Sequence, residues 1–206
     1  MDSVPDDLAS VPLRRVPTQV RSREKVSRAL AAADEIATRE GVDALTLTRV
    51  ASEAGLSVGA LHQYLPDRDA IAAALIARYH ERIESAMDEV IAQMSVETVE
   101  GPVADPIAEV IGQIASIYTQ ERGVRILRGA AAVPSAAGRA HKERMARRVR
   151  RLMEVCGVRR SDETAARTVF VTADAMMHEA FSGDGAPDAE LLAELETMVR
   201  AYIERE

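Results

Sequence analysis

The stretch LTLTRVASEAGLSVGALHQYLPDRDAI, from Leu45 to Ile71, holds two short helical rhythms separated by Gly55. Leu47, Val50, Ala51 and Ala54 recur at three- and four-residue spacing, then Leu61 and Leu65 begin a second apolar stripe. Thr46 and Ser57 stand where N-caps are needed, because a side-chain oxygen there accepts from one of the free amides of the first turn. Gly55 supplies the positive φ of a tight helix exit, and Pro66 stops the second helix. Two helices joined by three or four residues must cross steeply with their backbones close, which calls for a small residue such as Ala51 at the crossing. The pattern predicts a helix-turn-helix over about 46–65, with Ser57–Leu65 as the helix that would enter a major groove.

Upstream, a helix from about Ser22 to Glu40 carries Val26, Ala29, Leu30, Ala33, Ile36 and Ala37 on one stripe and ends at Gly41. The first 20 residues, with Pro5, Pro12 and Pro17, read as a flexible arm. Downstream, Asp67 opens a long helix whose stripe runs Ile71, Leu75, Tyr79, Ile83, Met87, Val90/Ile91, Met94. The pattern breaks between Ser95 and Asp105. Beyond it come a helix marked by Ile107, Val110, Ile111, Ile114 and Tyr118, and a Gly-punctuated segment from Gly123 to Gly129. A basic helix then runs to about Cys156, a helix capped by Ser161 to about Phe181, and a last helix follows Asp188. No run alternates with period two for long enough to make a strand. The expectation is an all-α chain: an arm over 1–20, a three-helix DNA-binding domain over 21–82, and a helical bundle over 83–206.

The exposed positions of the third helix suit DNA. Val58 has the shape to press on a thymine methyl, and His62 and Gln63 can donate to or accept from base edges. Gly59 leaves room for backbone to approach a phosphate or base edge. Arg68 would meet phosphate at the start of the long helix, where backbone amides already favour an anion. Thr48, Arg49, Ser57 and Tyr64 are placed for backbone contacts likewise. The pairs at Arg14–Arg15 and the RSREK run at 21–25 are either a groove-reaching arm or a solvated tail.

REGVDALT, then RVASEAGLS, then VGALHQYLPDRDAI, followed by a long helix, resembles the TetR-type transcriptional regulators over about Arg21–Arg82. In that family the third helix commonly reads G-T-L-Y-x-H/Y-F with a lysine near the next helix start. The matching residues here are Gly59, Ala60, Leu61, His62, Gln63, Tyr64, Leu65 and Arg68; His62, Leu65 and Arg68 replace the usual Tyr, Phe and Lys. The resemblance implies a homodimeric regulator, usually a repressor, that binds a pseudo-palindromic operator and responds to a small apolar or amphipathic effector. It also implies that the last two long helices form a four-helix dimer interface. Ala165, Val169, Ala173 and Ala180 would allow close helix approach there, and Leu191, Leu195, Val199 and Tyr202 offer an apolar face.

Composition bounds the rest. At 47% hydrophobic and 29% charged, the chain is too apolar for disorder, and its 3% aromatic content with abundant Ala, Leu, Arg and Glu favours helix. The net charge is −7, yet residues 14–70 hold nine Lys/Arg against eight Asp/Glu, so the acidic excess lies outside the DNA-binding third. Cys156 is the only thiol and the four histidines are dispersed, which predicts neither disulfide nor metal site. No apolar run reaches membrane-spanning length, and the expected location is the cytoplasm. No nucleophile–base pair or carboxylate dyad stands out, so no enzyme activity and no cofactor are expected. The densest basic run, Arg139–Arg151, reads as a solvated outer face around an inward stripe of Met145, Val149, Leu152 and Met153. Tyr79, Tyr118, Phe170, Met177 and His178 are the candidates for an effector pocket; ordinary core packing accounts for Phe170 and Met177 about as well, and residues such as Tyr79, Tyr118 and His178 are more often core than ligand contacts. The alternative to a ligand-responsive regulator is an architectural or partner-binding DNA-binding protein that takes no ligand. A cavity in the C-terminal bundle would separate the two.

Overall fold

Helix α1, Val20–Glu40, starts two residues before the sequence signal and ends at Gly41, whose φ of 83° turns the chain out of the helix. The computed structural model of the chain describes residues 11–95, 105–120, 136–183 and 185–204, so the Gly123–Gly129 segment lies outside the described residues. After a single 3-10 turn, Val42–Ala44, come α2 (Leu47–Glu53), α3 (Val58–His62) and α4 (Arg68–Ser95). Then follow α5 (Pro106–Gln120), α6 (Ala136–Val155), α7 (Glu163–Ala180) and α8 (Ala189–Ile203). Every element among the described residues is helical. The residues fall into two compact units, one ending at Glu81 and one beginning at Arg82, and α4 supplies residues to both.

In the N-terminal unit, Val26, Ala29, Leu30, Ala33, Ile36 and Ala37 of α1 are buried against the α2–α3 pair, together with Val50, Ala51 and Leu61. Leu47, expected inward, is only half-buried; Leu45 takes the core position with no exposure. Leu45 precedes the N-cap and Val50 is the fourth helical residue, the two places of a hydrophobic staple that fixes how the chain enters α2. Residues 11–19, expected as part of a free arm, pack on this unit, with Val11 and Pro17 buried.

In the C-terminal unit α6 packs on α7, α7 on α8, and α8 on α5. Asp162, one residue beyond the predicted Ser161, caps α7 by accepting from Ala165 N at 2.9 Å. Asp188 caps α8 in the same way at 3.0 Å. The dimer-facing reading of α7 and α8 is corrected at several positions. Ala165, Ala180 and Leu195 are buried inside their own unit, because the apolar stripe of each helix is spent on its own bundle. The unspent apolar surface is elsewhere: Val171 (46% exposed) and Met198 (39% exposed) are the exposed large apolar side chains among this unit's described residues.

Candidate DNA-binding surface and ligand cavity

Helices α2 and α3 form the predicted pair. Thr46 Oγ1 accepts from Arg49 N at 3.3 Å and Ser57 Oγ from Ala60 N at 3.2 Å, so each helix is capped by its own hydroxyl. Between them Gly55 sits at φ 65°, and Leu56 N donates to Ala51 O at 2.8 Å, closing the turn over the small crossing residue. Helix α3 ends at His62 rather than at Leu65. Tyr64 N and Leu65 N both donate to Leu61 O at 2.9 Å, drawing the chain into a turn ahead of Pro66. Gln63 and Tyr64 therefore stand at and beyond the C-cap, not on the helix body.

Thr48, Val58, Gly59, His62, Gln63 and Arg68 are exposed, while Tyr64 is half-buried. Ser57 is committed to its cap. Arg49 is engaged within the protein: it pairs with Glu40, and its Nε lies 3.5 Å from Glu53 Oε1. Arg39 joins the same cluster, 2.8 Å from Glu40 and 2.9 Å from Glu53, and the hydrogen bonds from Arg49 and Arg39 lower the Glu40 carboxyl pKa. This quartet ties the end of α1 to α2. Arg68 lies 3.5 Å from Asp43 and remains largely exposed.

Gly59 has a particular significance. A Cβ built there meets nothing within 4 Å, and its φ is not in the left-handed region. Nothing among the described residues requires glycine there, and a methyl group at this position would stand in open space. Gly59→Ala is expected to leave thermal stability unchanged or raise it by up to about 1 kcal/mol. Duplex affinity is expected to fall by about tenfold or more. Melting curves and binding titrations on the same preparation check both; wild-type affinity in the alanine variant would remove the glycine from the interface.

The C-terminal unit holds a cavity of about 670 Å³. Its wall is mostly apolar: Ile83 and Met87 from α4, Val110, Ile111, Ile114 and Tyr118 from α5, Met145, Val149 and Met153 from α6, Val169, Phe170 and Met177 from α7, and Leu195 and Val199 from α8. Of the five sequence candidates, Tyr118, Phe170 and Met177 line it. His178 does not, but its Nδ1 lies 3.0 Å from the Tyr118 hydroxyl, with the rings edge to face at 5.3 Å. Tyr79 is fully buried in the N-terminal unit and takes no part, because the stripe of α4 passes from one core to the other just beyond it. At its polar margin Arg200 donates to Asp105 Oδ2 at 2.6 Å and to Glu196 Oε1 at 2.9 Å. Asp105 also accepts from Ala108 N and Ile107 N at 3.2 Å. The Ala108 amide and Arg200 together lower its carboxyl pKa.

The basic helix is only partly a solvated face. Glu84 of α4, 8% exposed, accepts from His141 Nδ1 at 2.7 Å and from Arg144 through Nε at 2.9 Å and Nη2 at 2.9 Å. Arg148 Nη1 lies 3.1 Å from Glu84, and the same guanidinium makes a bidentate pair with Asp88 at 2.9 Å for each bond. Burial by itself would raise the Glu84 carboxyl; the hydrogen bonds from His141 and Arg144 more than reverse this and hold it at about 2. Sequence reading missed this cluster. Its one visible signal was a pair of acids four residues apart, Glu84 and Asp88, beside the apolar stripe of a long helix.

Fold and surface define a helix-turn-helix DNA-binding unit joined by a single long helix to a helical bundle that contains a cavity. Residues 29–75 match the model of the bacterial regulatory proteins of the tetR family. The fold is shared with a TetR-family transcriptional regulator from Streptomyces coelicolor at 23% identity, covering 87% of this chain and 97% of that one with a TM-score of 0.63. It is shared also with the fatty acid degradation regulator FadR from Bacillus halodurans, at 14% identity, coverages of 87% and 95%, and a TM-score of 0.60. A third similar structure is SmeT, repressor of the Stenotrophomonas maltophilia multidrug efflux pump SmeDEF, at 16% identity, coverages of 86% and 87%, and a TM-score of 0.60. No curated protein matches the chain by sequence. The family match covers the helix-turn-helix residues, and the rest of the chain shares the fold of these TetR-family regulators. No described helix is long and apolar enough to cross a membrane.

Proposed function

We propose that the protein is a ligand-responsive repressor that binds a pseudo-palindromic operator as a homodimer and acts in the cytoplasm. The observation that carries this reading is the cavity, into whose wall Ile83 and Met87 project from α4, the helix that begins directly after the recognition segment. A ligand touching these two side chains has different contacts in different placements of α4, which is the condition for shifting a population between them. The apolar wall with a charged margin suits a small apolar or amphipathic molecule. SmeT, which shares the fold, is a repressor and has been solved with triclosan. Thr48, Val58, Gly59, His62, Gln63 and Arg68 would meet the operator, with Ser57 and Tyr64 shaping the helix ends and Arg49 released from its carboxylates only if phosphate competes. A cavity of this size favours the ligand-responsive reading over the architectural one.

The dimer would form through the exposed stripes of α7 and α8. Thr168, Val171 and Ala175 follow one another at three- and four-residue spacing on α7, as do Glu194, Met198 and Ala201 on α8, and all six are exposed. Thr168, Ala175 and Ala201 beside one larger apolar group per helix would allow close approach of two copies.

The test uses a fluorescent apolar anion, anilinonaphthalene sulfonate, as a stand-in ligand. It is expected to bind the wild type, and Ala173→Phe, which fills the cavity from its wall, to weaken that binding by about tenfold, or 1.4 kcal/mol. Duplex affinity without the dye should be unchanged. Linkage further requires that dye and operator weaken each other by one common factor. Equal dye affinity with and without DNA would leave the architectural alternative ahead.

A further inference from the structure

We propose that the segment from Val11 to Gln19 is a second DNA-contacting element, which presents Arg14 and Arg15 to backbone phosphates beside the site of the recognition helix. The proposal rests on the DNA-binding reading of the N-terminal unit and adds to it a contact outside the helix-turn-helix. The segment is anchored. Val11 and Pro17 are buried, Leu13 N donates to Val11 O at 2.8 Å, and Arg23 Nε donates to Pro17 O at 3.4 Å. Arg14 N donates to Tyr64 O at 3.0 Å, which fixes Arg14 by a backbone bond to the turn that ends α3. An arginine held there reaches DNA without the ordering cost of a free tail.

Charge points to the same partner. Arg39 at the end of α1 and Arg49 on α2 are paired with Glu40 and Glu53, while Arg68 lies 3.5 Å from Asp43 and stays largely exposed. Arg14 and Arg15 are exposed and have no carboxylate partner among the described residues. Apolar exposure follows the same pattern. The exposed large apolar side chains among the described residues of this unit are Val16 (73%), Val20 (58%) and Val58 (40%): one on the segment, one at the start of α1 and one on α3. Exposed guanidinium groups with valines near them in sequence suit a polyanion with sugar and methyl surface between its phosphates.

The experiment titrates the full-length protein with a random-sequence duplex over a series of salt concentrations, comparing wild type, Arg14→Ala/Arg15→Ala and Arg14→Lys/Arg15→Lys. Each phosphate contact contributes about 0.9 to the slope of log affinity against log salt. The alanine pair should therefore make the slope shallower by one to two, at roughly 0.9 for each contacting arginine, with an unchanged melting temperature. The lysine pair should restore the slope, since it keeps the charge. A wild-type slope in the alanine pair overturns the proposal while leaving the helix-turn-helix reading standing. A lysine pair that stays as weak as alanine overturns the phosphate contact. Absence of salt-dependent binding by the wild type itself would remove the DNA-binding reading and the proposal with it.

Discussion

Glu84→Gln is expected to destabilise the C-terminal bundle by about 3 kcal/mol near pH 7, the lower end of what breaking a buried ion pair costs, since Arg144 keeps partial access to water. The substitution leaves the shape of the side chain and removes its charge, so His141, which is 2% exposed, and Arg144 lose the carboxylate they were buried against. The loss has a pH signature. Glu84 is held at about 2 in the folded protein, below its ordinary value of 4.5. A group with a depressed folded pKa contributes stability that is present above the unfolded value and disappears as pH falls through the folded one. The gap between wild type and variant should therefore be full at pH 7, begin to close below about pH 5 and be nearly gone near pH 2. Urea unfolding at several pH values reads this directly. A gap independent of pH would mean that the cost comes from packing rather than from charge.

Val171→Arg/Met198→Arg is expected to convert the proposed dimer to monomer, weakening self-association by at least about a thousandfold, or roughly 4 kcal/mol. Two guanidinium groups per copy would have to be buried without partners at the centre of the interface, and each costs several kcal/mol after relaxation. Both side chains are exposed in the single chain, so the fold should be unaffected by the change. This separates them from Val169 and Leu195, the positions that the helical stripes suggest at first. Those line the cavity, and a charge there would damage the bundle whatever its oligomeric state. Sedimentation of wild type and variant at micromolar concentration gives the answer. A wild-type monomer would remove the proposed dimer, and a variant that remains dimeric would move its interface off α7 and α8. A monomeric variant should also lose most operator affinity, because two half-sites are then no longer bound by one molecule.

The sequence by itself determined the elements and their order. Thr46, Gly55, Ser57 and Asp67 act within a few residues of themselves, through a cap oxygen or a φ that only glycine adopts readily, so their effects are readable without a fold. The stripe of α4 from Ile71 to Ile91 is legible for the same reason: helical periodicity is local, and every stripe residue through Ile91 is buried. Where a stripe points is another matter. The sequence shows that α7 and α8 each have an apolar side, and only packing shows that Leu195 and Ala165 spend it on their own unit, leaving Val171 and Met198 exposed. Charges follow the same division. Arg49 and Arg144 are both arginines on helices, and whether each faces solvent, DNA or a carboxylate depends on a residue 9 or 60 positions away. The cavity, the Glu84 cluster and the anchoring of Arg14 to Tyr64 are all meetings of residues distant in sequence. A one-dimensional pattern records the period of each element, while the tertiary structure alone decides which periods are brought face to face.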